Sequence, residues 1–107
     1  MLRQFLVQNV DTAARVIDGQ AVVITPHDAV LHTLNEVGTF IWARADGKRT
    51  VQEILQDVVA EFEVPLEAAT EDAVSFVDTC VRKGILELSS SPRPVDLSII
   101  HAGGAMP

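Results

Sequence analysis

The chain has 107 residues, of which 48% are hydrophobic and 21% charged, and its net charge is −7. This composition fits one globular domain and excludes a largely disordered chain, because such chains lack the apolar area that offsets ordering entropy. The acidic balance argues against nucleic acid and against a membrane surface as partners, since both attract Lys and Arg. No window approaches the roughly 20 apolar residues of a membrane span.

The cysteine content and the first residues bear on where the protein works. Cys80 is the single cysteine and cannot form an internal disulfide. The first residues, Met1-Leu2-Arg3-Gln4-Phe5, lack the pattern of a secretory signal. Together these features predict a reducing, cytoplasmic location.

The first third of the chain carries a strand pattern. Residues 1–11 have no clear periodicity, and we expect a loose lead-in there. Runs rich in β-branched residues follow at 13–17, 20–25 and 29–34, and Asp18-Gly19 separates the first two. Asp-Gly between such runs favours a type I′ hairpin turn, because Gly accepts a positive φ. The pattern predicts a three-stranded antiparallel β-meander.

Three helices are predicted after the meander. Asn35 is a good N-cap for the first, which we expect to stop near Asp46-Gly47. Thr50 and Glu53 form a capping box that begins the second. The third follows a Val-Pro break, runs to about residue 83, and ends at Gly84 as a left-handed C-cap. The predicted fold class is α+β, winged helix-turn-helix-like, with a three-stranded antiparallel β-meander followed by three α-helices.

The end of the chain changes character after a short closing strand expected at 85–88. Residues 89–94 are rich in Ser and Pro, which is typical of a linker. We therefore divide the chain into an N-terminal lead-in at 1–11, a domain at 12–88 and a flexible C-terminal tail at 89–107. Val95, Leu97 and Ile99 alternate as in a half-buried strand, which predicts that the tail can dock on a strand edge, within one chain or across a homodimer.

The sequence offers no recognisable catalytic centre. His27, His32 and His101 lie far apart and lack metal-site spacing. Cys80 lies on the apolar stripe of the third predicted helix, where a thiol is usually inert. There is no glycine-rich phosphate loop. We therefore predict that the protein is not an enzyme and has no catalytic residue, no metal and no cofactor.

DNA binding by a winged helix is the main alternative function. A meander followed by two helices joined by a short turn has that outline, and the third helix would then lie in the major groove. Its span carries Glu67, Glu71, Asp72 and Asp78, with bases only at its far end. The charge disfavours DNA as a ligand, but the alternative of a DNA-binding regulator stays open at this point.

A long acidic stretch separates the basic residues of the chain. Between residues 53 and 78 there is no Lys or Arg, and the acids are Glu53, Asp57, Glu61, Glu63, Glu67, Glu71, Asp72 and Asp78. One interpretation is a pair of solvated helix faces. The other is an acidic surface that steers a basic partner toward the protein.

Three segments resemble a known family. They are Leu34-Asn35-Glu36-Val37-Gly38-Thr39-Phe40-Ile41-Trp42, then Asp46-Gly47-Lys48-Arg49-Thr50-Val51 with Ile54, and finally Lys83-Gly84-Ile85-Leu86 together with Asp72 and Phe76-Val77. In order and spacing they resemble the PqqD family over roughly residues 12 to 88. The resemblance implies a peptide-recognition module from the biosynthesis of ribosomally made, modified peptides. Such a module binds the leader of a precursor peptide and presents it to a modifying enzyme, often a radical SAM enzyme.

The resemblance also implies where the peptide binds. An unpaired strand edge can accept a further strand by β-augmentation. The family's mode places the peptide against the third strand of the meander, in the groove beside the third helix. The peptide-binding residues expected from this are Val30, Leu31, His32 and Thr33 on the strand, and Val74, Asp78 and Val81 on the helix.

Overall fold

Six strands and three helices make up the part of the chain that the computed structural model describes, residues 1–94. The strands are β1 (Phe5–Gln8), β2 (Ala13–Ile17), β3 (Gln20–Thr25), β4 (Val30–Thr33), β5 (Asp46–Thr50) and β6 (Leu86–Ser89). The helices are α1 (Glu36–Ala43), α2 (Val51–Phe62) and α3 (Leu66–Lys83). The predicted α+β class, with a meander leading into three helices, is confirmed.

The predicted meander forms the first of two antiparallel sheets, in the order β2-β3-β4. Asp18 and Gly19 have φ of 53° and 78°, so both central residues of the first hairpin turn adopt the positive φ that a type I′ turn requires. In the register, Val23 of β3 lies between Ala14 of β2 and His32 of β4. Ala21 and Val23 are fully buried, so the inner face of this sheet covers the helices.

The second sheet, in the order β5-β1-β6, corrects the expected loose lead-in at residues 1–11. β1 is its central strand, and Leu6 and Val7 are completely buried. Gln8 is also buried and donates from Nε2 to the carbonyl oxygen of Trp42 at 2.8 Å. The start of the chain is therefore part of the core.

β5 corrects a second expectation. The Asp46-Gly47 pair was expected to be the turn that stops α1, but α1 ends at Ala43 and both residues belong to β5. β5 leads directly into α2 through Thr50, which is both the last residue of the strand and the N-cap of the helix. The helix start is thereby tied to the second sheet.

Three predicted helix caps are confirmed. The side chain of Asn35 accepts from the N–H of Gly38 at 2.7 Å. Thr50 and Glu53 make both hydrogen bonds of a capping box. Gly84 ends α3 with φ of 80°, a conformation that only Gly adopts without strain.

Buried apolar side chains from both sheets and all three helices meet in one core. Its largest fully buried members are Trp42, Leu6, Ile54, Ile85, Leu86, Val7, Val23, Val51 and Val77. The buried face of α3 consists of Ala69, Ala73, Val77 and Cys80. Within residues 1–94, no helix combines the length and the apolarity that a bilayer crossing requires.

The segment after β6 does not leave the domain at residue 89, as the expected tail would. Ser89 still belongs to β6, and the N–H of Arg93 donates to the carbonyl oxygen of Gly47 in β5 at 2.9 Å. The Arg93 guanidinium pairs with Glu87 at 3.0 Å. Residues 95–107, including the apolar alternation that predicts strand docking, lie outside the described residues.

Candidate functional site: the edge of β4 and the groove beside α3

β4 is an edge strand, paired with β3 on one side only among the described residues. The N–H of Leu34 donates to the carbonyl oxygen of Ala21 at 2.8 Å, which fixes the phase of the ladder. Because successive residues of an antiparallel strand point their backbone groups to opposite sides, Leu31 and Thr33 direct their N–H and C=O away from β3. Together they present two donors and two acceptors along the unpaired edge.

The side chains of this edge do little to protect it. Leu31 is 60% exposed and Val30 42% exposed, and β4 contains no Lys, Glu, Asp or Pro. Natural edge strands are usually blocked by such residues, because an unpaired apolar strand is a template for another one. The sequence of β4 therefore leaves the edge available.

The two faces of β4 have different surroundings. Leu31 is paired with Ile24 and lies on the outer face of the sheet. His32 is paired with the buried Val23 and lies on the face toward α3. Its Nε2 is 3.1 Å from Oγ1 of Thr25, which holds the imidazole ring at the start of the groove.

The turn before β4 is fixed by Asp28. Its Oδ1 accepts from the Thr25 hydroxyl at 2.5 Å and from the Val30 N–H at 3.2 Å. The Thr25 hydrogen bond, the Val30 N–H and the nearby His27 and His32 lower the pKa of Asp28 against a smaller opposing effect of desolvation. The charged carboxylate thus anchors the first residue of β4.

The other end of β4 is fixed by Thr39 of α1. The Thr39 hydroxyl accepts from the N–H of Ala21 at 2.8 Å and donates to the carbonyl oxygen of Leu34 at 3.3 Å. It thereby bridges the last backbone pair of the β3–β4 ladder. β4 is consequently held at both ends while its outer edge remains unpaired.

A groove of about 320 Å³ lies between β4 and α3. Its walls are His32, Thr33, Leu34, Asn35, Phe76, Thr79, Cys80, Lys83 and Ile85. A second cavity of about 300 Å³, largely apolar, lies among the three helices and includes Phe62 and Pro65. Asn35 and Phe76 line both, so the two cavities adjoin.

The structure brings together only part of the predicted peptide-binding set. The unpaired edge consists of the four strand residues that were expected, Val30, Leu31, His32 and Thr33. The expected helix residues do not face this edge. Val74 and Asp78 line a separate depression of about 680 Å³ together with Met1 and Leu66. At 3.6 residues per turn, residues 74, 78 and 81 lie roughly opposite residues 76, 79 and 83 on α3.

The helix residues beside β4 were not selected from the sequence. Phe76, Thr79 and Lys83 are not among the peptide-binding residues expected from the sequence. Their i, i+3, i+7 spacing shows that they share a face. It does not reveal which flank of the buried stripe faces β4, because that depends on how α3 packs against the sheet.

Cys80 lies at the base of the groove and is buried. Burial raises its pKa to about 11, with Lys83 acting weakly in the opposite direction. The thiol is therefore neutral at physiological pH, which does not suit a nucleophile. Among residues 1–94 no three His, Cys, Asp or Glu side chains converge as a metal site would require.

Several residues of the acidic stretch have structural partners. Glu53 belongs to the capping box of α2, Asp57 pairs with Arg44 at 3.4 Å, and Asp78 pairs with Arg82 at 3.0 Å. The rest are exposed at the end of α2 and on α3: Glu61, Glu63, Glu67, Glu71 and Asp72. An acidic α3 is poorly suited to a phosphate backbone, which argues against the DNA-binding alternative.

The fold and the site define an α+β domain of the winged helix-turn-helix type with an unpaired strand edge beside a helix groove. The chain belongs to the PqqD family, because the family model described as Coenzyme PQQ synthesis protein D (PqqD) matches residues 20–86, more than half of the chain. That match contains β3, β4 and all three helices.

A solved structure has the same fold. TbiB1 in complex with the TbiA(beta) leader peptide is similar with a TM-score of 0.70 and 22% sequence identity. The similarity covers 76% of this chain and 94% of TbiB1. No curated protein is significantly similar in sequence.

Proposed function

We propose that the protein is a non-catalytic adaptor that binds the leader of a ribosomally made precursor peptide and presents it to a modifying enzyme. The observation that carries the proposal is the unpaired edge of β4, where Leu31 and Thr33 direct their backbone groups outward beside a groove. Membership of the PqqD family supports it, and so does the leader peptide bound to the similar protein TbiB1.

The leader binds as an added strand along β4. Each backbone hydrogen bond contributes about 0.5–1.5 kcal/mol net, so four of them supply roughly 2–6 kcal/mol. A micromolar affinity corresponds to about 8 kcal/mol. The backbone alone therefore falls short, and the remainder comes from leader side chains that enter the groove. The backbone hydrogen bonds would form with any extended peptide, whereas the side-chain contacts in the groove distinguish one peptide sequence from another.

Phe76, Thr79 and Lys83 are the helix residues that the geometry favours as contacts of this strand. Val74, Asp78 and Val81, expected from the sequence, would touch a leader only if a second segment of it crossed to the far side of α3. Such a segment has a surface to occupy there, the depression that Val74 and Asp78 line. We assign the primary contacts to the groove side.

The modifying enzyme is the second partner, and a radical SAM enzyme is the candidate that the family suggests. None of the five exposed acids at the end of α2 and on α3 lines the groove, and Asp72 alone among them lines the adjoining helix cavity, so the other four leave room for enzyme and leader to bind together. Surface charge acts mainly on the association rate and is screened within about 8 Å at physiological salt. A basic enzyme surface would thus be steered to this side. The cytoplasmic location and the homodimer stay predictions from the sequence.

Proline scanning of the two edges of the β2-β3-β4 sheet tests the proposal. Leu31→Pro removes one outward N–H from β4 without touching the ladder to β3. Val16→Pro is the matched control, because Val16 is a similarly exposed residue whose N–H points outward from β2, the opposite edge. The ligand is a fluorescent peptide made from the start of a short reading frame that neighbours the gene.

We expect the leader to bind the wild-type and Val16→Pro proteins alike, and to bind Leu31→Pro more weakly by about fivefold or more. Hydrogen exchange adds an independent readout, since the amides of Leu31 and Thr33 should become protected on binding. Equal affinity for a folded Leu31→Pro protein, or unchanged exchange along β4, would refute the edge as the site.

A further inference from the structure

The groove beside β4 has a charge opposite to that of the whole chain. Its lining contains the Lys83 ammonium and the His32 imidazole but no carboxylate, although the chain carries a net charge of −7. Glu67, Glu71 and Asp78 lie elsewhere on α3, whereas the α3 residues that line the groove include no acid. Chance placement of 15 acids against eight bases would not favour this arrangement.

Lys83 differs from four arginines of the described residues in its lack of a carboxylate partner. Arg44, Arg49, Arg82 and Arg93 each pair with a carboxylate at 3.0–3.4 Å. No Asp or Glu among residues 1–94 lies within ion-pair distance of Lys83. A cation at the end of α3 is favoured by the helix dipole, but Arg82 already meets that requirement. The dipole does not explain why Lys83 faces a groove that lacks acids.

The adjoining cavity among the helices has the reverse polarity. Its walls are mostly apolar, with Val58, Phe62 and Ala69 among them, and its one charged lining residue is Asp72. A strand that lies along α3 therefore passes from a positive end at Lys83 to an apolar, weakly negative end near Asp72. A ligand strand with an acidic side chain at the Lys83 end and an apolar side chain at the cavity end would bind in a single register.

We propose that the groove selects leaders that carry an Asp or Glu opposite Lys83 and an apolar anchor in the helix cavity. This inference rests on the proposed function and names the chemistry of its ligand. Ala73 lies in the middle of the helix cavity, and Lys83 follows it by ten residues of α3. The distance between them along the helix axis is therefore about 15 Å. An extended strand covers this in four to five residues at about 3.3 Å each. Because both side chains face the groove, the spacing is even and hence four residues.

A displayed library of random 12-residue peptides tests this without a known leader. It is selected against three proteins: the wild type, Lys83→Glu and Lys48→Glu. The last is a matched control, because Lys48 is an exposed lysine of β5, outside the groove, and its substitution changes the net charge equally. Binders are then screened against Leu31→Pro, and only those that lose affinity are kept as ligands of the edge.

We expect the wild-type and Lys48→Glu selections to enrich Asp or Glu four residues from an apolar position. The Lys83→Glu selection should lose that preference or replace it with Lys or Arg. For a single enriched peptide, Asp→Asn should weaken binding to the wild type by about two- to fivefold and leave binding to Lys83→Gln unchanged.

Two different failures can be distinguished. Suppose that peptides sensitive to Leu31→Pro show no preference for Asp or Glu, or keep that preference in the Lys83→Glu selection. This inference is then overturned, while the proposed function stands. A library that yields no binder sensitive to Leu31→Pro would count against both.

Discussion

The ring of Phe76 lies against the backbone of Gly38, so closely that a Cβ on residue 38 would be 2.8 Å from Phe76 Cε1. α1 and α3 meet at this contact. Because Phe76 lines both the groove and the helix cavity, the absence of a side chain at residue 38 leaves room for a ring in the candidate site. The stability of the fold and the shape of the candidate site are therefore coupled at this pair.

Gly38→Ala is expected to destabilise the protein by about 1–2 kcal/mol, as overpacking does. In an exposed helix the same change stabilises by up to about 1 kcal/mol, so the sign is diagnostic. The added methyl also lies 3.1 Å from the capping oxygen of Asn35. Urea unfolding measures the effect. The control is the same Gly38→Ala change made in a Phe76→Leu protein. There the change should lower the free energy of unfolding by less than it does in the wild type. A Gly38→Ala protein more stable than the wild type would contradict the contact.

Thr39→Val is expected to cost about 1–3 kcal/mol, because it leaves the buried N–H of Ala21 without its acceptor. Thr39→Ser keeps the hydroxyl and should retain most of the stability. Since the hydroxyl also closes the β4 end of the ladder, Thr39→Val should speed hydrogen exchange at Leu34. Equal unfolding midpoints for the Val and Ser variants would show that the bridge contributes nothing.

Cys80 should react slowly with thiol reagents while the protein is folded. A pKa of about 11 against an ordinary 9.0 lowers the thiolate fraction at pH 8 about 100-fold, and burial adds a further barrier. Labelling with a disulfide reagent in buffer and in urea measures the ratio. Because the Cys80 thiolate attacks the disulfide of the reagent and expels its other sulfur as a thiolate, the folded rate should still be rising with pH above 9. A folded rate equal to the unfolded rate would mean that the groove base is accessible.

Asp28 should make stability depend on pH at the acidic end. Its pKa is lowered in the folded state, so the carboxylate stabilises the fold above pH 3.8 and this contribution is lost as pH falls through the lowered value. Asp28→Asn removes the titration while it keeps an amide oxygen as acceptor. The difference in urea midpoint between wild type and variant should shrink as the pH falls below that range. A difference that is constant with pH would show that the charge of Asp28 is unimportant.

Local signals in the sequence predicted the meander and all three helices. The Asp18-Gly19 turn, the Asn35 cap and the Thr50 capping box each act over a few neighbouring residues, so the chain pattern contains them. β1 and β5 were missed for a physical reason. β1 has no alternation because its last three residues are all buried, and β5 is polar with a Gly at its second position.

The position of the strand edge could be predicted from the sequence, whereas the face of α3 that lies beside it could not. An edge strand follows from element order, but the rotation of α3 about its axis follows from packing. Gly38 against Phe76 is one of the contacts that set that rotation, and it joins residues far apart in the chain. Val74 and Val81, which the family resemblance implies as contacts, lie on the flank of α3 opposite the groove.

The position of β1 between β5 and β6 affects how the protein can fold while it is being synthesised. Phe5 pairs with Ser89, so the pairing of β1, the central strand of this sheet, is complete only after β6 has been synthesised. At about 5–20 residues per second, roughly 4–16 s separate the synthesis of Gln8 from that of Ser89. During this interval one edge of the apolar β1 has no partner, even once β5 has paired with the other edge, and the outer edge of β4 is unpaired in the same nascent chain. A β1–β4 pairing formed then would have to break before the native sheet could close, so an edge that is open to a partner is also open to wrong pairing within its own nascent chain.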